Sequence, residues 1–106
     1  MEEAIKKLKL FRDMRDWKQF HNPKDLALAL SIEASELLEV FLWKSPEDAD
    51  PERVREELAD VLAYALLLAD AYKLDPSEIV LSKIEQNEKK YPVSKAKGSA
   101  KKYTEL

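Results

Sequence analysis

Four dipeptides constrain this chain more than anything else in it: Asn22-Pro23, Ser45-Pro46, Asp50-Pro51 and Asp75-Pro76. Each sets a side chain that accepts hydrogen bonds from free backbone amides directly ahead of a proline. The proline ring pre-sets the helical φ and lacks only a hydrogen that the first turn leaves unpaired in any case. Four helix starts are marked in this way. The Ser45 to Asp48 and Asp75 to Glu78 spacings also have the form of capping boxes. Glycine occurs once, at Gly98, and no segment alternates with the period of two that a strand requires. The pattern predicts helices over about residues 2–20, 24–44, 51–73 and 76–91, with a loop or single turn over 45–50. Beyond Pro92 the helical period is lost, which predicts an extended arm over 93–106 belonging to the same domain as residues 1–92. The fold class expected is all-α, an antiparallel helical bundle of about four helices.

A chain of 106 residues makes at most one domain. With 45% hydrophobic residues and two helices apolar on more than one face, it has more apolar surface than one small core hides. A second copy of the chain is expected to cover the remainder. The cysteine count of zero excludes disulfides, thiolate nucleophiles and sulfur-ligated zinc. The first residues, MEEAIKKLKLFRD, are charged and lack the apolar centre of a signal peptide, and no run approaches the roughly 18 apolar residues of a membrane span. A cytoplasmic setting with no membrane partner is the expectation. Residues 1–82 hold 11 basic and 18 acidic side chains, residues 83–106 hold 7 and 3. The basic tail has no arginine and the chain no helix-turn-helix pattern, so no nucleic-acid partner is expected; a phosphate-bearing small molecule satisfies the same lysines.

Within EELADVLAYALLLADAY, Asp60 stands in a helix that is apolar nearly all the way round. A helix of that kind is covered on most sides, and a lone carboxylate inside it costs several kcal/mol in lost hydration unless something positive meets it. The preceding helix carries Glu33, Glu36 and Glu39 in SIEASELLEVFLW. Residues three apart share a helix face, so Glu33 pairs with Glu36 and Glu57 with Asp60. If the two helices pack antiparallel through their apolar faces, an E-x-x-E pair meets an E-x-x-D pair. The mutual repulsion is relieved by protonation, by basic partners such as Arg53 and Arg55, or by metal ions. Only oxygen ligands are on offer, which suits Mg²⁺ or Mn²⁺. The single histidine, His21, lies outside the E-x-x-H motif of di-iron bundles.

One glycine excludes both the P-loop and the dinucleotide fingerprint. Any triphosphate bound here must therefore be held by metal ions and lysines. In KIEQNEKKYP, Lys83, Asn87 and Tyr91 recur every four residues and share one helical face, which serves phosphates or simply faces solvent. Trp17 and Trp43 flank the second helix. They pack in a core or an interface, or sandwich a nucleobase, which every base permits because each has a π-face.

Together, RDWKQFHNPKDLALAL, the E-x-x-E of EASELLEVFLWK, the E-x-x-D of EELADVLAY, KIEQNEKKYP and the ending KGSAKKYTEL resemble the MazG-like all-α nucleotide pyrophosphohydrolases, from about Arg15 to Leu106. The resemblance implies Mg²⁺ on Glu33, Glu36, Glu57 and Asp60. It implies hydrolysis of a nucleoside triphosphate between the α and β phosphates, with dCTP or a related or noncanonical nucleotide as substrate. Trp17, Trp43 and Tyr64 would line the nucleoside pocket, and Lys83, Asn87 and Tyr91 would reach the phosphates. Dimers paired into a homotetramer are expected. Leu8 departs from the pattern, standing where we align a histidine of dCTP-specific members. Glu33 is the carboxylate expected to orient or deprotonate the attacking water. The competing expectation is a non-enzymatic oligomeric bundle whose acids are salt-bridged and whose basic tail binds a partner.

Overall fold

A computed structural model describes all of residues 1–106. It is built from helices: α1 (Glu2–Met14), α2 (Pro23–Glu39), α3 (Pro51–Ala71), α4 (Pro76–Lys90) and the single turn α5 (Val93–Ala96), with 3₁₀ turns at Lys18–Phe20, Pro46–Asp48 and Tyr103–Glu105. No helix is long and apolar enough to cross a membrane. The chain divides into two compact units, Met1–Lys73 and Leu74–Leu106.

Three of the marked starts are capped by their side chains. Asn22 Oδ1 accepts from the Asp25 amide at 2.9 Å, Asp50 Oδ1 from Glu52 at 3.0 Å, and Asp75 Oδ1 from Ser77 and Glu78 at 2.8 and 3.2 Å. Each satisfies an amide that the first turn leaves without an intrahelical partner. Ser45 differs: its hydroxyl turns to Asp48 Oδ2 at 2.7 Å, and Pro46–Asp48 form only a 3₁₀ turn.

The helix ends depart from expectation. The first helix was expected to reach residue 20 but stops at Met14, because Asp16 enters the left-handed region at φ 57°. The amides of Asp16 and Trp17 then fold back to the carbonyls of Asp13 and Arg12 at 3.1 Å each, the closing pair of a Schellman motif formed without glycine. The second helix gives way after Glu39 to a tighter turn, where Phe41 and Leu42 donate three residues back and Trp43 sits at φ 60°. The arm beyond Pro92 is not extended throughout. It opens with α5 and ends in a 3₁₀ turn that brings Tyr103 edge-on to Tyr91, ring centroids 6.0 Å apart.

In the first unit, α2 and α3 form the main packed pair, and α1 lies along α3. Met1 and Ala4 share a groove with Ala59, while Lys9 and Arg12 reach Asp70 further along, so α1 and α3 run in the same direction. The buried apolar residues are Leu26, Val40, Leu67 and Ala69. Much apolar surface stays open: Ile32 on α2 is 57% exposed and Leu38 69%, with Leu58 and Leu62 of α3 also exposed. Within one chain α3 is therefore only half covered.

Candidate metal and nucleotide site

Glu33 and Glu36 lie one turn apart on α2 and meet Glu57 of α3. Each offers one carboxylate oxygen, and the three oxygens lie within 4.8 Å of one another. Glu33 Oε2 and Glu57 Oε2 are buried with no hydrogen-bond partner. Burial first, then the adjoining Glu36 carboxylate, with Asp60 and Glu57 adding to it, push the Glu33 carboxyl up to about 7. Glu57 is raised for the same reasons, burial leading and the charges of Glu36 and Asp60 following, against a smaller opposing pull from Arg53. No lysine or arginine forms a salt bridge with any of these acids. Arg55, a candidate partner by sequence, pairs instead with Glu52 at 3.3 Å. The salt-bridged alternative therefore lacks its cations.

Asp60 is placed differently from what its sequence surroundings suggest. It is exposed, not enclosed, and it is not one of the three clustered acids. Its charge still reaches Glu33 and Glu57. The enclosed, unpaired oxygens belong to its neighbours, because the apolar residues around Asp60 are themselves only partly covered in a single chain.

Asp60 instead stands at the edge of a cavity of about 250 Å³ beside the acids. Helix α1 contributes Leu8, Phe11 and Arg12 to its wall, and the turn after α1 contributes Trp17 and His21. Tyr64 and Leu67, one and two turns beyond Asp60, complete it. Trp17 packs edge-on to Phe11 with centroids 5.8 Å apart, and His21 packs edge-on to Tyr64 at 6.5 Å. The left-handed Asp16 delivers Trp17 to this wall, so the early end of α1 and the aromatic lining have one cause. Burial, and then the charge of Arg12, lower the His21 pKa, and its Nδ1 has no partner.

Of the aromatic residues expected around a nucleoside, Trp17 and Tyr64 line this cavity. Trp43 does not: it is 97% exposed. In the second unit, Lys83 and Asn87 line a shallow apolar concavity on α4 with Ile79, Val80 and Ile84. Lys83 donates weakly to Gln86 at 3.4 Å, and Tyr91 comes directly after the last residue of α4.

Arg12 is the feature that sequence reasoning missed. It is 4% exposed and ties α1 to α3 through Asp70 at 3.1 Å, while Nε donates to Asp13 at 2.8 Å. Asp70, like Asp60, is an acid in an apolar helix, and asking what meets it would have pointed to a buried cation.

The cluster fits a hard divalent cation on its own chemistry. Three carboxylate groups converge, two of their oxygens are buried and unpaired, and no basic side chain forms a salt bridge with them. Residues 28–106 match the MazG-like family. The chain is 42% identical over 104 residues to dCTP pyrophosphatase 1 of Homo sapiens, covering 91% of this chain and 61% of the relative. The Mus musculus protein of the same name is 43% identical over equal shares. The chain thus spans about three-fifths of the length of these relatives. A solved pyrophosphatase from Archaeoglobus fulgidus DSM 4304 is 45% identical and superposes with a TM-score of 0.81, covering 87% of this chain and 92% of that one. With a family match over most of its length and a close structural counterpart, this chain belongs to the MazG-like family.

Proposed function

We propose that this protein is a divalent-metal-dependent, by preference Mg²⁺-dependent, nucleoside triphosphate pyrophosphohydrolase. It would cleave dCTP or a related or noncanonical nucleotide to the monophosphate and pyrophosphate. The observation that carries the reading is the convergence of Glu33, Glu36 and Glu57 within 4.8 Å, with no basic partner. The names of the relatives, dCTP pyrophosphatase and pyrophosphatase, support the same chemistry.

Glu33, Glu36, Glu57 and Asp60 would hold the ions. A bound Mg²⁺ supplies charge that offsets the negative phosphoryl oxygens and a more acidic bound water, and Mn²⁺ can take its place. Glu33 accepts the proton as water adds across the α–β anhydride. The bridging oxygen leaves with pyrophosphate, and contact with the phosphates is the role that the family resemblance implies for Lys83, Asn87 and Tyr91. Trp17 and Tyr64 hold the nucleoside within the cavity, and Trp43 closes over it from a face completed on assembly. The exposed apolar residues of α2 and α3 support homo-oligomerisation, as a dimer of dimers. A nucleotide-pool enzyme without cysteine suits the cytoplasm, with neither nucleic acid nor membrane as partner.

Incubation with dCTP and Mg²⁺, followed by separation of products, tests the reading. Equal amounts of dCMP and pyrophosphate are expected. Orthophosphate with dCDP, or no turnover across a panel of nucleoside triphosphates, refutes it.

A further inference from the structure

The ending KGSAKKYTEL does not trail away from the second unit but turns back into it. Helix α5 closes with the Lys97 amide on the Val93 carbonyl at 3.1 Å. Lys97 at φ −57°, ψ 120°, Gly98 at φ 78° and the Ser99 amide donating to the Ala96 carbonyl at 3.0 Å then make a type II turn. The third residue of such a turn needs a positive φ, which glycine adopts without strain. A Cβ at Gly98 would meet nothing within 4 Å, so this glycine serves the backbone and not a close neighbour. The Ser99 hydroxyl accepts from the Lys101 amide at 3.2 Å and keeps the chain turning, and the 3₁₀ turn at Tyr103–Glu105 delivers the Tyr103 ring.

Two contacts hold that ring. Tyr91 stands edge-on to it, with centroids 6.0 Å apart and planes at 81°, and the Lys90 ammonium lies over its face, 4.9 Å from the centroid. Tyr91 is the residue that needs such a partner. It follows the last residue of α4 at φ −124°, ψ 64°, outside helical geometry, so the preceding turn of helix does not set its side chain. Its amide still closes on the Asn87 carbonyl at 2.7 Å, which keeps it near the face that Lys83 and Asn87 share. Tyr91 is half-buried, whereas every residue of α4 after Pro76 is exposed. Its hydroxyl makes no hydrogen bond within the chain and is not sealed from solvent. The ring is held and the hydroxyl is free to donate.

We propose that Tyr103 is a positioning residue for the phosphate end of the substrate: without touching the nucleotide, it fixes the Tyr91 ring so that the Tyr91 hydroxyl meets a phosphate oxygen. A Tyr91 left unheld would lose rotamer freedom each time a phosphate bound, and that ordering weakens binding. With Tyr103 in place the ordering is complete before the ligand arrives. Both contacts of Tyr103 are made by its ring, so the role calls for an aromatic side chain and not for its hydroxyl. The inference rests on the nucleotide reading above and on the phosphate contact proposed there for Tyr91.

The test uses the full chain with Mg²⁺ and reads dCTP hydrolysis together with calorimetric binding of pyrophosphate and of deoxycytidine, which carries no phosphate. Tyr103→Leu should raise KM for dCTP and weaken pyrophosphate binding roughly two- to tenfold, the scale of one edge-on aromatic pair, with deoxycytidine binding unchanged. Tyr103→Phe, which keeps the ring, should restore both. In a Tyr91→Phe background, which lacks the hydroxyl, Tyr103→Leu should add nothing further. Equal weakening of pyrophosphate and deoxycytidine, or effects of the two substitutions that simply multiply, marks a merely structural residue and overturns the proposal, as does wild-type behaviour of Tyr103→Leu. If Tyr103→Leu does not fold, Gly98→Ala, which strains the turn and keeps both tyrosines, should shift KM and pyrophosphate binding in the same direction; no shift overturns the proposal. Absence of turnover with pyrophosphate still bound sinks the hydrolase reading alone, and the Tyr103→Leu comparison then decides by binding. Hydrolysis of dCTP with pyrophosphate binding indifferent to Tyr91→Phe ends the inference alone, and a chain that neither turns over dCTP nor binds pyrophosphate ends both.

Discussion

Neutralising Glu33 should stabilise the metal-free protein while removing its activity. Two unit charges at 4.8 Å, the limit within which the three oxygens lie, repel by about 1 kcal/mol in bulk water and about 3 kcal/mol at an effective dielectric near 20. Glu33 is half-buried, and partial access of water to the cleft puts the net gain from Glu33→Gln on the order of 1–2 kcal/mol at pH 8. That corresponds to a rise in Tm of roughly 4–15 °C for a chain of this size. The sign follows from protonation. The folded state raises the Glu33 pKa from 4.5 to about 7, so it favours the protonated carboxyl, and the associated stability is complete below about pH 4.5 and lost as pH rises through about 7. The wild-type protein should therefore match the variant near pH 4.5 and fall behind it above pH 7.5. Thermal melts followed by circular dichroism, in chelator and at fixed protein concentration, measure the gap. Glu33→Gln melting below wild type at pH 8, or a gap that does not change with pH, would show that the three acids do not repel as their spacing requires.

Adding Mg²⁺ to the wild-type chain should raise its Tm by mass action, by about 2.7 kcal/mol of stability at a hundred times the dissociation constant, and Glu33→Gln should gain less; a melting curve indifferent to Mg²⁺ would remove the metal site. Glu57→Gln and Asp60→Asn should each lower kcat by at least a hundredfold with helical circular dichroism unchanged, as read by release of pyrophosphate. Burial pushes the Asp70 carboxyl up, but hydrogen bonds from Arg12 and Lys9 outweigh it and hold the pKa below 3.8, so the stability from this pair is present above pH 3.8 and lost as pH falls further. Asp70→Asn should accordingly destabilise the chain by about 1–3 kcal/mol at neutral pH, with the difference from wild type shrinking in acid titration.

The helix starts were legible because a cap is a local device: Asn22, Asp50 and Asp75 carry their own instruction to amides two or three residues on. The ends were not, since the usual signal is a glycine in the left-handed region, and here Asp16, Trp43 and Lys73 adopt it instead. The pairing of Glu33 with Glu36 and their meeting with Glu57 followed from helical spacing and an antiparallel neighbour, both readable in the chain. The exposure of Asp60 was not readable. Periodicity reports that a helix is apolar all round, but not which side another element covers, and one chain leaves Leu58 and Leu62 on that helix exposed.

Asp70 and the Glu33 cluster differ in where their cations come from. By sequence distance, Arg53 and Arg55 are the obvious cations for Glu57, while Arg12 is 58 residues from Asp70. The fold reverses the assignment: Arg55 turns along its own helix to Glu52, and Arg12 crosses to Asp70. An acid on the surface of α3 thus has two solutions in the same helix, an ion pair within the chain at one end and none at the other. A structural ion pair needs no ligand, so Asp70 is satisfied whatever the solvent contains. Glu33 and Glu57, with unpaired oxygens and raised pKa values, remain destabilising until a proton or a divalent cation arrives, and it is this unmet charge, rather than the count of acidic residues, that marks the site.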